Sequence, residues 1–443
     1  MRNILLLGAG KSATSLITYL LEQSCKFGIQ LTVADQSNEQ AQLKLGNHPA
    51  GRVLELDVLN ESSRQKAISE AEVVISMLPA TLHMLVAKDC LVLGKHLATA
   101  SYVSEEMHAL HHEVKSKGLV FINEAGLDPG IDHMSAMKMM HEIGRLGGTI
   151  TGFQSYCGGL VAPKHNTNLW GYKFSWNPRN VILAGQGLAR FKEAGGVRFR
   201  PYHQLFAEAE TLDVPGAGQF DAYPNRDSLA YEELYGLNNL TTLVRGTLRM
   251  PGFCKAWHAW IAMGFTDDQH TLSIPQNTYS ALCDALLPLP GAPWKKRVER
   301  AWHGALPDGV FEKLEETGIF SNLELPFKEA TPAAYLQALL ETQWKLQPGD
   351  QDRVVMHHII DWEKNGKNQR WTSSLDLTGE DNVHTAMAKT VGLPLAMSVE
   401  LLLENKIPDR GVLIPLEQWW YEPVLKKLES FGIGFTEHCP MAD

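Results

Sequence analysis

The chain has 443 residues, 44% hydrophobic and 20% charged, with 40 Lys+Arg against 50 Asp+Glu and a net charge of −10. That length calls for two or three domains, and the apolar content excludes disorder as the main state. The acidic balance argues against a nucleic-acid partner, whose binders usually carry a basic excess.

Apolar runs such as Ile4 to Leu7 fall far below the roughly 18 residues of a membrane span. Cys25, Cys90, Cys157, Cys254, Cys283 and Cys439 are scattered with no C-x-x-C pair, which reads as reduced thiols in a cytoplasmic protein without a zinc site. At the N-terminus one Arg, a short apolar run and a glycine turn read as a strand rather than a signal peptide.

Strands are expected at Ile4–Leu7, Leu31–Ala34, Arg52–Leu56, Val73–Met77, His96–Ala98 and Leu119–Ile122, with helix-length stretches between them. Continuous apolar strands that alternate with helices imply a parallel sheet covered on both faces. The first strand runs into Gly8-Ala9-Gly10-Lys11-Ser12-Ala13, the G-x-G-x-x-A form of a dinucleotide fingerprint. Gly8 suits the tight turn, Gly10 a close approach to pyrophosphate, and Ala13 close helix packing. The following helix start presents N–H groups to the anion.

Asp35 ends the second strand 25 residues after Gly10, where a carboxylate accepts from a ribose 2′-OH and repels a 2′-phosphate, favouring NAD over NADP. A plain strand-end turn is the competing reading of Asp35. Gly10-Lys11-Ser12 resembles the end of a P-loop, but Leu5 stands where that motif needs glycine. Asp57 follows the third strand and suits either the adenine or a helix cap.

After Asn123 the texture changes. Gly126-Leu-Asp-Pro-Gly130 is a turn cluster, Thr149–Cys157 is strand-like, and 158–251 is rich in glycine and aromatics. From 251 to 349 the pattern is helical, with Trp257 and Trp260 expected to pack that region. Arg353–Trp362 and Gln369–Leu377, joined by Glu363-Lys-Asn-Gly366, read as a hairpin with Asn-Gly at its turn. His384–Leu403 is a helix expected to dock on the first domain. The expected fold is α/β: a Rossmann-type parallel-sheet domain (1–125 plus about 384–415), an α/β substrate domain (126–250 and 350–383) and an all-helical insertion (251–349).

Gly126–His133, Ser155–Gly159, Gly171–Trp176, Tyr223–Ser228, Arg245–Arg249, Ala386–Lys389 and Asp409–Val412 together resemble the glutamate-forming saccharopine dehydrogenases, also called saccharopine reductases. The resemblance implies a homodimer that interconverts saccharopine with L-glutamate and 2-aminoadipate 6-semialdehyde, using a nicotinamide cofactor. It places cofactor contacts on Gly8, Ala9, Gly10, Lys11, Ser12 and Ala13, on Asp35 and Gln36, on Asp57 and Val58, and on Met77, Ala100, Ser101, Leu127, Asp128, Pro129 and Ser175. Substrate contacts fall on Ser101, Tyr102, Asp128, Arg226, Thr247, Leu248 and Arg249. NADP-using fungal members carry Arg near the end of the second strand, where this chain has Asp35. That departure points to NAD and to the degradative direction of lysine metabolism.

Saccharopine carries three carboxylates, a primary ammonium and a secondary amine. Arg226 and Arg249 suit carboxylates, because a guanidinium fork binds them bidentately. A structural ion pair is the competing reading for each. Hydride leaves the amine-bearing carbon and the resulting imine is hydrolysed, which requires an acid/base. Asp128, Tyr102, Cys157 and His133 are the candidates. His357 and His358 are adjacent on a strand, so they point to opposite faces and cannot share a metal. The alternatives are a carboxynorspermidine dehydrogenase-like reductase and, from a different class, a non-catalytic NAD(P)-sensing binding protein.

Overall fold

The computed structural model describes residues 2–439. The chain forms two compact units. The first runs to Gly147 and takes in Gly379–Gly434, and the second comprises Gly148–Thr378 and the segment from Phe435.

In the first unit, strands β1 (Arg2–Leu7), β2 (Ile29–Asp35), β3 (Gly51–Glu55), β4 (Val73–Ser76), β5 (His96–Thr99) and β6 (Val120–Ile122) fall on the runs expected from the sequence. They form a seven-stranded sheet with Gly411–Leu413, in the order Gly411–Leu413, β6, β5, β4, β1, β2, β3. All its pairings are parallel. Leu5, Leu7, Val74, Leu97 and Phe121 are buried in one core, as expected for strands covered on both faces. Strand order reverses between β1 and β4, and in such sheets ligands bind outside the carboxyl ends at this point.

Helix Ala386–Leu403 packs on helix Thr14–Glu22, which follows the glycine turn. Tyr19 donates to the Glu400 carboxylate, and Lys427 Nζ lies 2.6 Å from Glu400 Oε2. This helix has 18 residues and a mean hydropathy of 1.4, and 89% of it is buried within the fold. Its apolar length therefore serves packing.

The unit is larger than the sequence suggests. Helix Ile131–Arg145 belongs to it, packed on helix Gln418–Glu429, with His141 Nδ1 2.7 Å from the Tyr421 hydroxyl. Its apolar face needs that partner, so the boundary lies at Gly147 rather than 125, and the returning segment reaches Gly434 rather than about 415.

The second unit holds a nine-stranded sheet. Its centre is Thr149–Val161, which pairs parallel with Thr242–Arg249 on one side and antiparallel with Asp352–Lys364 on the other. Gly218–Pro224 continues the sheet beyond Thr242–Arg249. The Asp352–Lys364/Lys367–Thr378 hairpin turns at Asn365 and Gly366, with φ of 51° and 74°, the positive pair that a two-residue turn of this hand requires. His357 bonds Ser374 Oγ at 2.8 Å, while His358 stacks on Phe153 and Phe435. Thr436–His438 pairs with Lys367–Thr378 at the sheet edge.

The helices of 251–349 share one core with Trp170, Tyr172 and Phe174. Trp257 and Trp260 are buried there, with Trp170 stacked on Trp260. The region is not purely helical, because Leu272–Ser273 and Glu329–Ala330 form a two-stranded pair.

Candidate active site

The carboxyl ends of β1, β2, β4 and β5 carry the candidate cofactor residues of the first unit. Gly8 has φ +99°, and a Cβ there would stand 3.0 Å from the Met77 carbonyl oxygen, so the approach of β1 and β4 requires glycine. A Cβ at Gly10 would meet nothing within 4 Å, which leaves the backbone open to a pyrophosphate. A short turn of helix, Lys11–Ala13, follows, with Lys11 exposed, Ser12 half-buried and Ala13 buried.

Asp35 has the backbone contacts of a strand-end turn and one more. Its Oδ1 accepts from Ser37 N at 3.0 Å as a turn residue, and its Oδ2 accepts from Ala9 N at 2.7 Å, tying the second strand to the glycine turn. Lys44 Nζ donates to the Gly10 carbonyl. Asp57 Oδ1 accepts from Leu59 N at 3.0 Å and from Gln36 Nε2 at 3.3 Å. The helix cap here is Asn60 instead. The Val58 carbonyl accepts from Arg64, which is paired at 2.6 Å with Asp89. The open cradle at Gly10 and the anchored Asp35 fit a dinucleotide.

A second cluster joins the end of β5 to the Gly126–Gly130 loop. Tyr102 donates to Asp128 Oδ1 at 2.8 Å. Glu124, at φ +54°, accepts from Val103 N at 2.9 Å and meets His133 Nε2 at 2.7 Å. His133 is therefore engaged in a buried pair, whereas Tyr102 and Asp128 are half-buried. The Asp128–Pro129 bond is cis. A Cβ on Gly130, at φ +145°, would fall 2.0 Å from the Gly126 oxygen, so the loop closes only with glycine there. Gly126 itself lies against Ala100, and Leu127 is buried.

The remaining expected site residues lie in the second unit. Arg249, at the end of Thr242–Arg249, is 3% exposed. Its guanidinium carbon sits 5.4 Å from the Tyr172 ring centre, 5.5 Å from that of Phe253 and 6.0 Å from that of Tyr223. One guanidinium nitrogen donates to the Leu248 carbonyl at 3.0 Å, and Nε has no hydrogen-bond partner. Among the described residues no carboxylate pairs with it. Burial pushes the Tyr223 phenol up to about 12 against the opposing Arg249 charge, so that ring is neutral at pH 7. Three rings offer roughly 0.5–2 kcal/mol each, against several kcal/mol for taking one cation out of water. An unpaired guanidinium in this cage calls for an anion.

Thr247 bonds Tyr223 across the strand pair, and Leu248 is buried against Gly158. Cys157 is buried opposite Thr247 in the parallel ladder, and Ser175 is buried with its hydroxyl unpartnered. Arg226 differs from Arg249: it is exposed, on a turn with φ +53°. His83, Glu124 and Lys44 are polar groups beside the candidate residues of the first unit that no sequence motif singles out. The aromatic cage was legible only as the Gly171–Trp176 and Tyr223–Ser228 blocks.

Comparison with known proteins identifies the family. Residues 4–122 match the family model of the saccharopine dehydrogenase NADP binding domain, and residues 126–433 that of the saccharopine dehydrogenase C-terminal domain. The chain is 34% identical over 461 residues to the NADP(+), L-glutamate-forming saccharopine dehydrogenase of Schizosaccharomyces pombe, covering 99% of each. It is 38% identical over 404 residues to the alpha-aminoadipic semialdehyde synthase of Arabidopsis thaliana, which spans 86% of this chain but only 38% of that larger protein. The solved apo saccharopine dehydrogenase (L-Glu forming) of Saccharomyces cerevisiae superposes with a TM-score of 0.86 at 31% identity, over 99% of this chain and 100% of that one. The chain belongs to the saccharopine dehydrogenase family.

Proposed function

We propose that the chain is an NAD-linked, glutamate-forming saccharopine dehydrogenase that interconverts saccharopine with L-glutamate and 2-aminoadipate 6-semialdehyde, in the degradative direction of lysine metabolism. The observation that carries this reading is Arg249, buried in an aromatic cage with no acidic partner among the described residues. A substrate with three carboxylates supplies the missing anion. The names of the fungal relatives specify NADP(+). The preference for NAD rests on Asp35, whose charge opposes a 2′-phosphate.

A bound nicotinamide cofactor would supply the acceptor for the hydride of the amine-bearing carbon. Tyr102 and Asp128 are the acid/base pair: the 2.8 Å hydrogen bond lets the carboxylate take a proton from the secondary amine while the phenol orients it. Hydrolysis of the resulting imine then needs a proton delivered to the departing glutamate nitrogen, which the same pair returns. Arg249 holds a carboxylate, and Thr247 beside it adds a hydroxyl donor. Cys157, buried within the sheet, contributes packing. A cytoplasmic homodimer belongs to this proposal on the strength of the free thiols and the resemblance.

Purified protein given saccharopine is expected to reduce NAD faster than NADP and to release glutamate. Failure to turn over with either cofactor, or release of lysine in place of glutamate, refutes the proposal.

A further inference from the structure

His83 lies between the ends of β4 and β5 and has no part in the scheme above. Its Nδ1 is 2.8 Å from Ser76 Oγ, and its Nε2 is 2.7 Å from Ser101 Oγ and 3.5 Å from Thr99 Oγ1. We infer that Ser76, His83 and Ser101 form a directional hydrogen-bond relay, in which His83 is a positioning residue that leaves the Ser101 hydroxyl aimed as a donor at a carboxylate or carbonyl oxygen of the bound ligand.

The direction follows from satisfying each donor. Ser76 is 0% exposed, and among the described residues its hydroxyl has only His83 as a side-chain partner. A buried hydroxyl that does not donate is costly, so Ser76 donates to Nδ1. In a neutral imidazole the proton is then on Nε2, which must donate. Ser101 Oγ is its closest acceptor. Thr99 Oγ1 is further away and already accepts from Ser101 N at 3.2 Å. With an oxygen lone pair of Ser101 filled by His83, the Ser101 proton is free to point onward. The ring is neutral at pH 7 because burial pushes its pKa down to about 4. The Ser101 carbonyl accepts from Glu124 N at 3.1 Å, so backbone and side chain of Ser101 are both held in place.

This inference rests on the proposed function only for the identity of the substrate. The first measurement is independent of turnover: ¹⁵N-histidine NMR of the full chain, with His83→Gln assigning the resonance, is expected to find a neutral ring protonated on Nε2. A ring protonated on Nδ1, or an imidazolium at pH 7, overturns the relay.

The second is a kinetic cycle. His83→Gln and Ser101→Ala are each expected to lower kcat/KM on the order of tenfold, and the double variant is expected to fall no further than Ser101→Ala alone. Additive losses would mean that His83 acts on the fold rather than through Ser101. Fluorescence titration with NADH separates the two sources of the acceptor. Equal weakening in both variants places it on the cofactor, and unchanged affinity with a raised saccharopine KM places it on the substrate. A wild-type protein without turnover refutes the proposed function, while the tautomer still decides the relay.

Discussion

The two units carry their candidate site residues on different material. The first uses main chain: a glycine turn whose approach to Met77 leaves no room for a side chain, and a carboxylate, Asp35, pinned to Ala9 N. The second uses side chains, with a single guanidinium inside three aromatic rings. A backbone cradle is rigid and indifferent to what lies beyond the phosphates, which suits a cofactor shared by many enzymes. A buried cation in an aromatic cage is costly until its anion arrives, which suits selection of one substrate class. The difference assigns stability and function to separate residues, and it can be tested unit by unit.

The largest effect is expected at Arg249. Arg249→Met keeps an apolar side chain of comparable length in the cage and removes the unpaired charge. Losing one partner of a buried charged hydrogen bond costs roughly 2–5 kcal/mol, so kcat/KM for saccharopine should fall roughly 30- to 4,000-fold. NADH affinity should stay within about twofold, since the glycine turn is built from other residues in the other unit. The melting temperature should hold or rise, because replacing a lone buried charge by hydrocarbon is neutral or stabilising. A large drop in melting temperature would mean that Arg249 is structural and that its anion is not the substrate.

A smaller effect is expected from altering the first unit at Asp35. Asp35→Ala combined with Gln36→Arg removes the charge that opposes a 2′-phosphate and supplies one that binds it. Hydrogen bonds to charged groups are worth about 1.5–3 kcal/mol, so the ratio of kcat/KM for NAD over NADP should move roughly 10- to 100-fold towards NADP. Part of the total rate should be lost as well, because Ala9 N loses its acceptor. An unchanged ratio would leave Asp35 with its two backbone contacts and no part in cofactor choice.

What the sequence disclosed follows the same division. The alternating apolar runs of the first unit, the G-x-G-x-x-A turn and the Asn365-Gly366 hairpin are local signals, each set by a few neighbouring residues, and the structure has them where the pattern puts them. Non-local pairing was not legible. Nothing in Ile131–Arg145 says that its apolar face meets Gln418–Glu429, so the domain boundary was drawn too early. Nothing in the spacing of Ser76, His83 and Ser101 marks them as bonded neighbours. Arg226 and Arg249 looked equivalent as arginines in distinctive blocks, but one proved exposed and the other enclosed. Burial, which decides the cost of a charge, is a property of the assembled sheet.

The smallest effect separates the units by pH. His83 in the first unit and His357 in the second are each pushed down to about 4 by burial, His357 against an opposing pull from Asp213. Their folded pKa values lie below the unfolded value of 6.5, so between the two the unfolded chain binds more protons. Stability is therefore complete above pH 6.5 and declines as pH falls towards 4. For His83 the expected loss between pH 7.5 and pH 5.5 is about 1.4 kcal/mol, close to tenfold in the folding equilibrium. Carboxylates contribute little in this window because their ordinary range lies lower. Hydrogen exchange followed strand by strand reads each unit separately. His83→Gln should flatten the acid dependence of protection in β4 and β5 and leave that of Asp352–Lys364 unchanged, while His357→Gln should do the reverse. If either variant flattened both, the two units would be unfolding as one.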